Sequence, residues 1–303
     1  MNRRVFLMSF TAGLVVAGLK PAFASQKHIT SVIPLWQGTP PGKGGPTGPV
    51  ITSTSGAQTN ISSPFLTVSY PDKPNRKAVI VAAGGGYKRI ETGKEALPAA
   101  AWLNQHGYTA YILTYRLPAE GWDDKDIVAI QDAQRALRIV RSREKHVSVL
   151  GFSAGGHLMG MAACRSDFKS YAPRDELDLL EPITDSAALI YPVITLEKPY
   201  THTSVHKILA GPHASEEADA RLSVQTYVTP QSPPFFLIQA DDDPVSDPHN
   251  TLIMNAVCEQ ERVSVEMHRF TTGGHGFGMG KPGTPTIEWP SYYDSWLKTE
   301  WRM

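Results

Sequence analysis

Three short stretches hold residue types that could act together as nucleophile, acid and base: GFSAGGH (151–157), ADDDPV (240–245) and GGHGFG (273–278). Ser153 stands between Gly151 and Gly155, in a stretch that directly follows the apolar run VSVL and leads into the helical stretch GGHLMGMAAC. A serine hydroxyl is a weak nucleophile. It becomes reactive when a base removes its proton and N–H donors receive the developing oxyanion. G-x-S-x-G between a buried strand and a helix is the pattern of a nucleophile elbow, a corner tight enough to push Oγ above the sheet edge. Side chains at the flanking positions would collide with the neighbouring strand and helix. An ordinary Gly-rich turn is the bland alternative, and the strand before and the helix after favour the elbow. The start of that helix leaves the Ala154 N–H free to donate.

In the chain order Ser, acid, His, the base lies late. Of the ten histidines, His275 is best placed, in the glycine-rich loop after RVSVEMHRF. His157 neighbours the elbow in sequence, but on the helix its side chain is expected to point away from Ser153. His202 and His206 have the i, i+4 spacing of metal ligands, but without H-E-x-x-H or an obvious third ligand they read as a surface loop. His249 and Asn250 read as a helix cap. The run Asp241-Asp242-Asp243 follows the strand-like PPFFLIQA. A calcium loop would need further oxygen ligands at set spacing, and none is found. Asp243 is the expected acid, with Asp242 as the alternative. It would accept the ring N–H of His275 and stabilise the imidazolium formed during attack.

The oxyanion donors are expected in the loop GGGY (84–87), which follows the strand-like KAVIVAA. Successive glycines let backbone N–H groups approach a substrate carbonyl. Gly85, Gly86 and Ala154 are the expected donors, and Tyr87 is expected to face the substrate. Neither phosphate-loop pattern, G-x-x-x-x-G-K-[ST] nor G-x-G-x-x-G, occurs here. No metal and no cofactor is expected. Cys164 and Cys258, the only two cysteines, are too few for a cysteine zinc site and read as buried free thiols.

These residues need a scaffold, and segments with strand and helix character alternate to supply one. FLTVSY, KAVIVAA, YTAYILTY, HVSVLGF, SAALIYPVI, PPFFLIQA and RVSVEMHRF read as strands. Residues 91–107, 126–143, 155–164, 251–261 and 288–301 read as helices, with Pro98 awkward inside the first. Several strands are near-continuous apolar runs, as expected when helices cover both faces. The fold class is therefore α/β, with a mostly parallel sheet in one domain over 62–303. About 40 residues between IYPVI and PPFFLIQA leave room for a small flap, hardly for a lid domain.

Ahead of that domain, residues 25–61 are rich in Pro, Gly, Ser and Thr and read as an arm over the surface. Residues 1–24 carry Arg3-Arg4, an apolar stretch and Ala22-Phe23-Ala24. That is the pattern of a secretory signal peptide, and the arginine pair also resembles a twin-arginine export signal. A periplasmic or secreted protein is expected, with no membrane segment once the signal is removed. Lys plus Arg and Asp plus Glu number 29 each, so no global field favours nucleic acid. Nothing in the sequence sets an oligomeric state.

The stretches IPLWQG (33–38), GGGY, YRLP (115–118), QDAQRALRIVRSR (131–143), GFSAGGH, IYPVI (190–194), ADDDPV and GGHGFG together resemble the α/β-hydrolases of the esterase and lipase type, and among them the acetyl and acetylxylan esterases. The resemblance spans nearly the whole chain after residue 25. It implies hydrolysis of short acyl esters on small molecules or carbohydrate through Ser153, Asp243 and His275, and it supports Asp243 over Asp242. Two departures lie at the pocket rim. Ala83 precedes GGGY where relatives have Pro or His, and SDPH (246–249) follows the acid where relatives carry a V-P pair. A peptidase of the prolyl oligopeptidase kind shares the triad order but has a large N-terminal propeller missing here. An inactive hydrolase-fold binding protein is disfavoured by the presence of all three triad residues.

Overall fold

The computed structural model describes residues 30–300, so the signal-peptide reading of residues 1–24 lies outside the described residues. The strands are β1 (Thr30–Pro34), β2 (Ile51–Thr52), β3 (Gln58–Thr59), β4 (Phe65–Ser69), β5 (Lys77–Ala82), β6 (Thr109–Thr114), β7 (His146–Phe152), β8 (Ser186–Ile190), β9 (Phe235–Ala240) and β10 (Val265–Phe270). The helices are α1 (Leu97–Gln105), α2 (Val128–Arg141), α3 (Ala154–Cys164), α4 (Ser204–Leu209), α5 (Glu216–Arg221), α6 (His249–Glu261) and α7 (Trp289–Glu300).

Eight strands form one sheet in the order β1-β4-β6-β5-β7-β8-β9-β10. The pairs β1·β4 and β4·β6 are antiparallel, and every other pair is parallel. This is the α/β-hydrolase architecture that the sequence resemblance implies. Every residue of β6, β8 and β9 is buried, because helices cover both faces and leave no solvent side for polar alternation. α2 packs on α3, and α1 meets α7 where Trp102 stacks on Tyr293 at 5.7 Å between ring centroids.

Two expectations need correction. Residues 25–61 are not simply an arm, because β1 pairs with β4, with Ser31 opposite Val68 and Ile33 opposite Leu66. A single apolar strand can satisfy its backbone at a sheet edge, and the Pro- and Gly-rich stretch behind it masks the signal in composition. The helix expected over 91–107 is broken into a π-helical turn, Thr92–Ala96, followed by α1. Pro98 lies in the first turn of α1, where its missing N–H costs nothing.

The leading segment is clamped by a buried ion pair. Arg116 has no exposure, and its guanidinium meets Asp132 of α2 at 2.8 Å. The same carboxylate accepts the Trp36 indole N–H at 2.8 Å, while Arg116 Nη1 donates to the Pro41 carbonyl. One turn further along α2, Arg135 donates to the Leu35 carbonyl at 2.9 Å and pairs with Asp175 and Asp178. The matched stretches IPLWQG, YRLP and QDAQRALR are thus three sides of one polar cluster.

Asp132→Ala would strand the Arg116 charge in the interior. A loss of about 3–5 kcal/mol of unfolding free energy is expected from breaking such a pair. A urea midpoint equal to that of the wild type would contradict the clamp.

Candidate active site

The parallel register brings the ends of the strands to one edge. Ala82 of β5 lies opposite Gly151 of β7, Phe152 opposite Ile190, Ile190 opposite Ile238, and Ala240 opposite Phe270. Ser153 follows β7 by one residue, Asp243 follows β9 by three and His275 follows β10 by five. Loops that short keep these side chains over the same edge, the usual ligand-binding position of open α/β sheets.

Ser153 has φ 51 and ψ −117 at the junction of β7 and α3. A Cβ at Gly155 would run into the carbonyls of Ala82 and Ala83, so only glycine lets α3 start this close to β5. The Ser153 Oγ lies 2.8 Å from His275 Nε2, and His275 Nδ1 lies 2.7 Å from Asp243 Oδ2. The Asp243 side chain has no exposure and that of His275 is 17 % exposed. The other Asp243 oxygen accepts the N–H groups of Val245 and Ser246 at 2.8 and 2.9 Å, and the amide of Gln239 donates to Oδ2 at 3.0 Å. Four N–H donors around one buried carboxylate supply what a charge out of water requires.

The other two acids of the run have separate partners. Asp242 accepts the N–H groups of Gly273 and Gly274 at 2.8 and 2.7 Å, which ties down the loop that carries His275. Asp241 pairs with Arg269 of β10 at 2.6 Å.

Gly85 and Gly86 line an open cleft of about 410 Å³ together with Ser153 and His275. The Gly84 N–H is turned away, donating to Glu95 Oε2 at 2.6 Å. Ala154 is the first residue of α3, so its N–H has no partner within the helix. Residues 203–205, at the start of α4, close the cleft beside Gly86, with the Ser204 hydroxyl donating to the Gly86 carbonyl at 3.3 Å.

Tyr87 does not face the cleft as expected. It is 2 % exposed with φ 61, and its hydroxyl bonds Nδ1 of His157 at 2.8 Å. The turn of the glycine loop sends the ring inward, where it braces the loop from below. His157 donates through Nε2 to the Leu222 carbonyl at 2.8 Å and is absent from the cleft. His206 pairs with Asp219 at 2.9 Å, whereas His202 reaches the Val245 carbonyl at 3.2 Å. Asn250 is not a cap. Its Oδ1 accepts the N–H groups of Ile194 and Thr195 at 2.7 and 3.0 Å, fixing the chain beyond β8. Cys164 and Cys258 are free.

The BD-FAE family model matches residues 66–256. The chain belongs to the BD-FAE family. It is 26 % identical over 249 residues to an acetylxylan esterase of Xylanibacter ruminicola, covering 76 % of this chain and 47 % of that protein. It is also 26 % identical over 240 residues to endo-1,4-beta-xylanase B of Butyrivibrio fibrisolvens, covering 77 % and 36 %. The chain thus spans less than half the length of the curated relatives it matches. A solved structure of an acetyl ester-xyloside bifunctional hydrolase from Caldicellulosiruptor lactoaceticus superposes with a TM-score of 0.73 at 30 % identity, covering 89 % of this chain and 96 % of that one.

The BD-FAE match ends before His275, so the histidine rests on geometry. Sequence reasoning missed three buried groups of this BD-FAE site. Gln239 is the penultimate residue of β9, where a polar residue in an apolar strand was the available signal. Glu95, which lines the cleft, meets Tyr191 at 2.9 Å, and burial pushes the Glu95 carboxyl up to about 6. A glutamate in a helix-like stretch and a tyrosine at a strand end look unremarkable until the fold joins them.

Burial pushes the His157 imidazole down from 6.5 to about 4. The folded chain therefore refuses a proton that the unfolded chain accepts. The stability tied to neutral His157 is present in full above the unfolded value and is lost as pH falls towards the folded one, up to roughly 3 kcal/mol. Urea midpoints at neutral and acid pH should differ more in the wild type than in His157→Gln. Equal differences would contradict this.

Proposed function

We propose that the protein is a serine carboxylesterase that removes short acyl groups, acetyl foremost, from carbohydrate. The observation that carries the reading is the relay from Ser153 Oγ to His275 Nε2 at 2.8 Å and on to Asp243 Oδ2 at 2.7 Å. The named activities of the two relatives and of the Caldicellulosiruptor lactoaceticus enzyme support the substrate class.

Ser153 Oγ attacks the ester carbonyl carbon while His275 Nε2 takes its proton. The carbonyl oxygen becomes an oxyanion held by the N–H groups of Gly85, Gly86 and Ala154. Each such donor is worth about 2.7–4 kcal/mol of barrier. The tetrahedral centre collapses, the bond to the alcohol oxygen breaks, and His275 hands its proton to the departing alcohol. Water then attacks the acyl-serine by the same route, His275 taking a proton and returning it to Ser153 as the acid leaves. Asp243 holds the imidazole in the tautomer with its proton on Nδ1 and stabilises the imidazolium.

Val193, Val205 and Val245 give the cleft apolar walls, and its open side leaves room for a bulky alcohol such as a sugar. The reading extends to place of action. Residues 1–24 have the pattern of an export signal, and polysaccharide is met outside the cytoplasm.

Ser153→Ala should lower kcat by roughly a millionfold, on the scale seen when a serine nucleophile is removed, with the urea midpoint retained. Residual turnover near the wild-type rate would sink the reading. Initial rates on acetyl, butyryl and octanoyl esters should fall in that order, and a preference for octanoyl would reject the short-acyl assignment. Acetate release from acetylated xylan, measured against a chromogenic acetyl ester, tests the carbohydrate. Turnover of the chromogenic ester alone would leave an esterase of another alcohol.

A further inference from the structure

Glu95 has no part in the proton relay, yet it lies at the junction of three segments that build the site. It belongs to the π-helical turn Thr92–Ala96 and is 4 % exposed. Its Oε2 accepts the N–H of Gly84, the first residue of the oxyanion loop, at 2.6 Å. Its Oε1 accepts the Tyr191 O–H at 2.9 Å. The Tyr191 oxygen accepts the Gly278 N–H from the histidine loop at 3.0 Å. The Tyr191 ring meets the His275 ring nearly edge-on, with 4.9 Å between centroids. One carboxylate thus connects chain that leaves the sheet after β5, after β8 and after β10.

The contacts are tight enough to transmit a disturbance. A Cβ on Gly84 would lie 2.7 Å from Ser153 Cβ and 2.8 Å from the Phe152 carbonyl, so this peptide rests directly on the elbow. Turning its N–H inward, towards Glu95, is what leaves Gly85 and Gly86 along the cleft. Tyr191 has φ 39, a left-handed conformation costly for an aromatic residue. Such strain, on the order of 1–3 kcal/mol, persists only where surrounding contacts hold it.

We propose that Glu95 is a positioning residue of the hydrolytic reaction, and that as a carboxylate it holds the oxyanion loop and the histidine loop in register across Ser153. The proposal rests on the serine-esterase reading above. Both oxygens face donors, the Gly84 N–H and the Tyr191 O–H. A proton on Oε2 would oppose the Gly84 N–H, whereas a proton on Oε1 would reverse the bond to the Tyr191 oxygen and leave the hydroxyl proton without its acceptor, so protonation in either place leaves one donor unmatched. The charged and titratable groups around it are Tyr191, Tyr115 after β6, His275, and Glu91 on its own segment. Glu91 is itself occupied by Arg89 and Lys94. Burial is the dominant influence and favours the acid form; the donors from Gly84 and Tyr191 and the proximity of His275 oppose it. Activity in mildly acid solution therefore falls as Glu95 takes up a proton and the loops loosen.

The test measures kcat and KM on a chromogenic acetyl ester from acid to neutral pH for wild type, Glu95→Gln and Glu95→Ala. An active-site-directed fluorophosphonate counts reactive Ser153 in each. Glu95→Gln should fold, lose roughly ten- to a hundredfold in kcat at neutral pH, as a misplaced constellation does, and keep KM within about twofold. The share of the wild-type acid limb that belongs to Glu95 should be missing from it, because glutamine takes up no proton there. Wild-type kcat and an unchanged acid limb in Glu95→Gln overturn the proposal. The near-isosteric Gln variant decides the matter even if Glu95→Ala does not fold. A wild type that neither turns over the ester nor takes the label overturns the esterase reading and this proposal together. An active wild type beside an indifferent Gln variant overturns this proposal alone.

Discussion

At Ser153 the chain must change from strand to helix within one residue, and it does so in a conformation that L-residues avoid, with φ 51 and ψ −117. The corner costs on the order of 1–3 kcal/mol and needs neighbours that leave it no alternative. The Ser153 N–H donates to the Ile190 carbonyl at 3.0 Å, and its own carbonyl accepts from His157 and Val193 at 3.1 and 3.3 Å. These bonds tie the corner to the helix it begins and to the strand beside it. Gly155 lets β5 come close on the other side. The sheet register, the missing side chain and the backbone bonds all hold the same hydroxyl above the same edge.

Around that corner the polar groups divide their tasks by position. Three consecutive aspartates have three different partners: an arginine on the last strand, two backbone N–H groups of the histidine loop, and the imidazole itself. Chemically identical residues differ here only because the turn after β9 aims each in its own direction. Farther away, Arg116, Asp132 and Trp36 hold the segment that leads into the sheet, so the first strand is fixed to α2 as well as to β4.

The features readable from sequence were those set by short-range pattern. The strands and helices of the core follow apolar runs, and the elbow follows from glycines flanking a serine between a strand and a helix. His275 and Asp243 could be named as candidates because chain order and the strand ends narrow the choice, with the family resemblance favouring Asp243 over Asp242. What could not be read depends on direction. Tyr87 was expected at the substrate because it adjoins the glycine loop, but its positive φ turns the ring inward to His157. Glu95 and Tyr191 are nearly a hundred residues apart and meet only because β5 and β8 flank β7. β1 was hidden by the composition of the stretch that follows it.

β8 and β9 are direct neighbours in the sheet, with Ile190 opposite Ile238, yet the chain makes a long excursion between them that includes α4 and α5. The start of α4 forms one wall of the cleft, while the register that places Asp243 is set by the strands alone. An insertion of this kind can lengthen, shorten or change composition at little thermodynamic cost. The fold therefore separates two evolutionary problems. The positions of Ser153, Asp243 and His275 follow the strand register at the sheet edge, whereas the wall beside Gly86 belongs to a segment whose length that register does not fix.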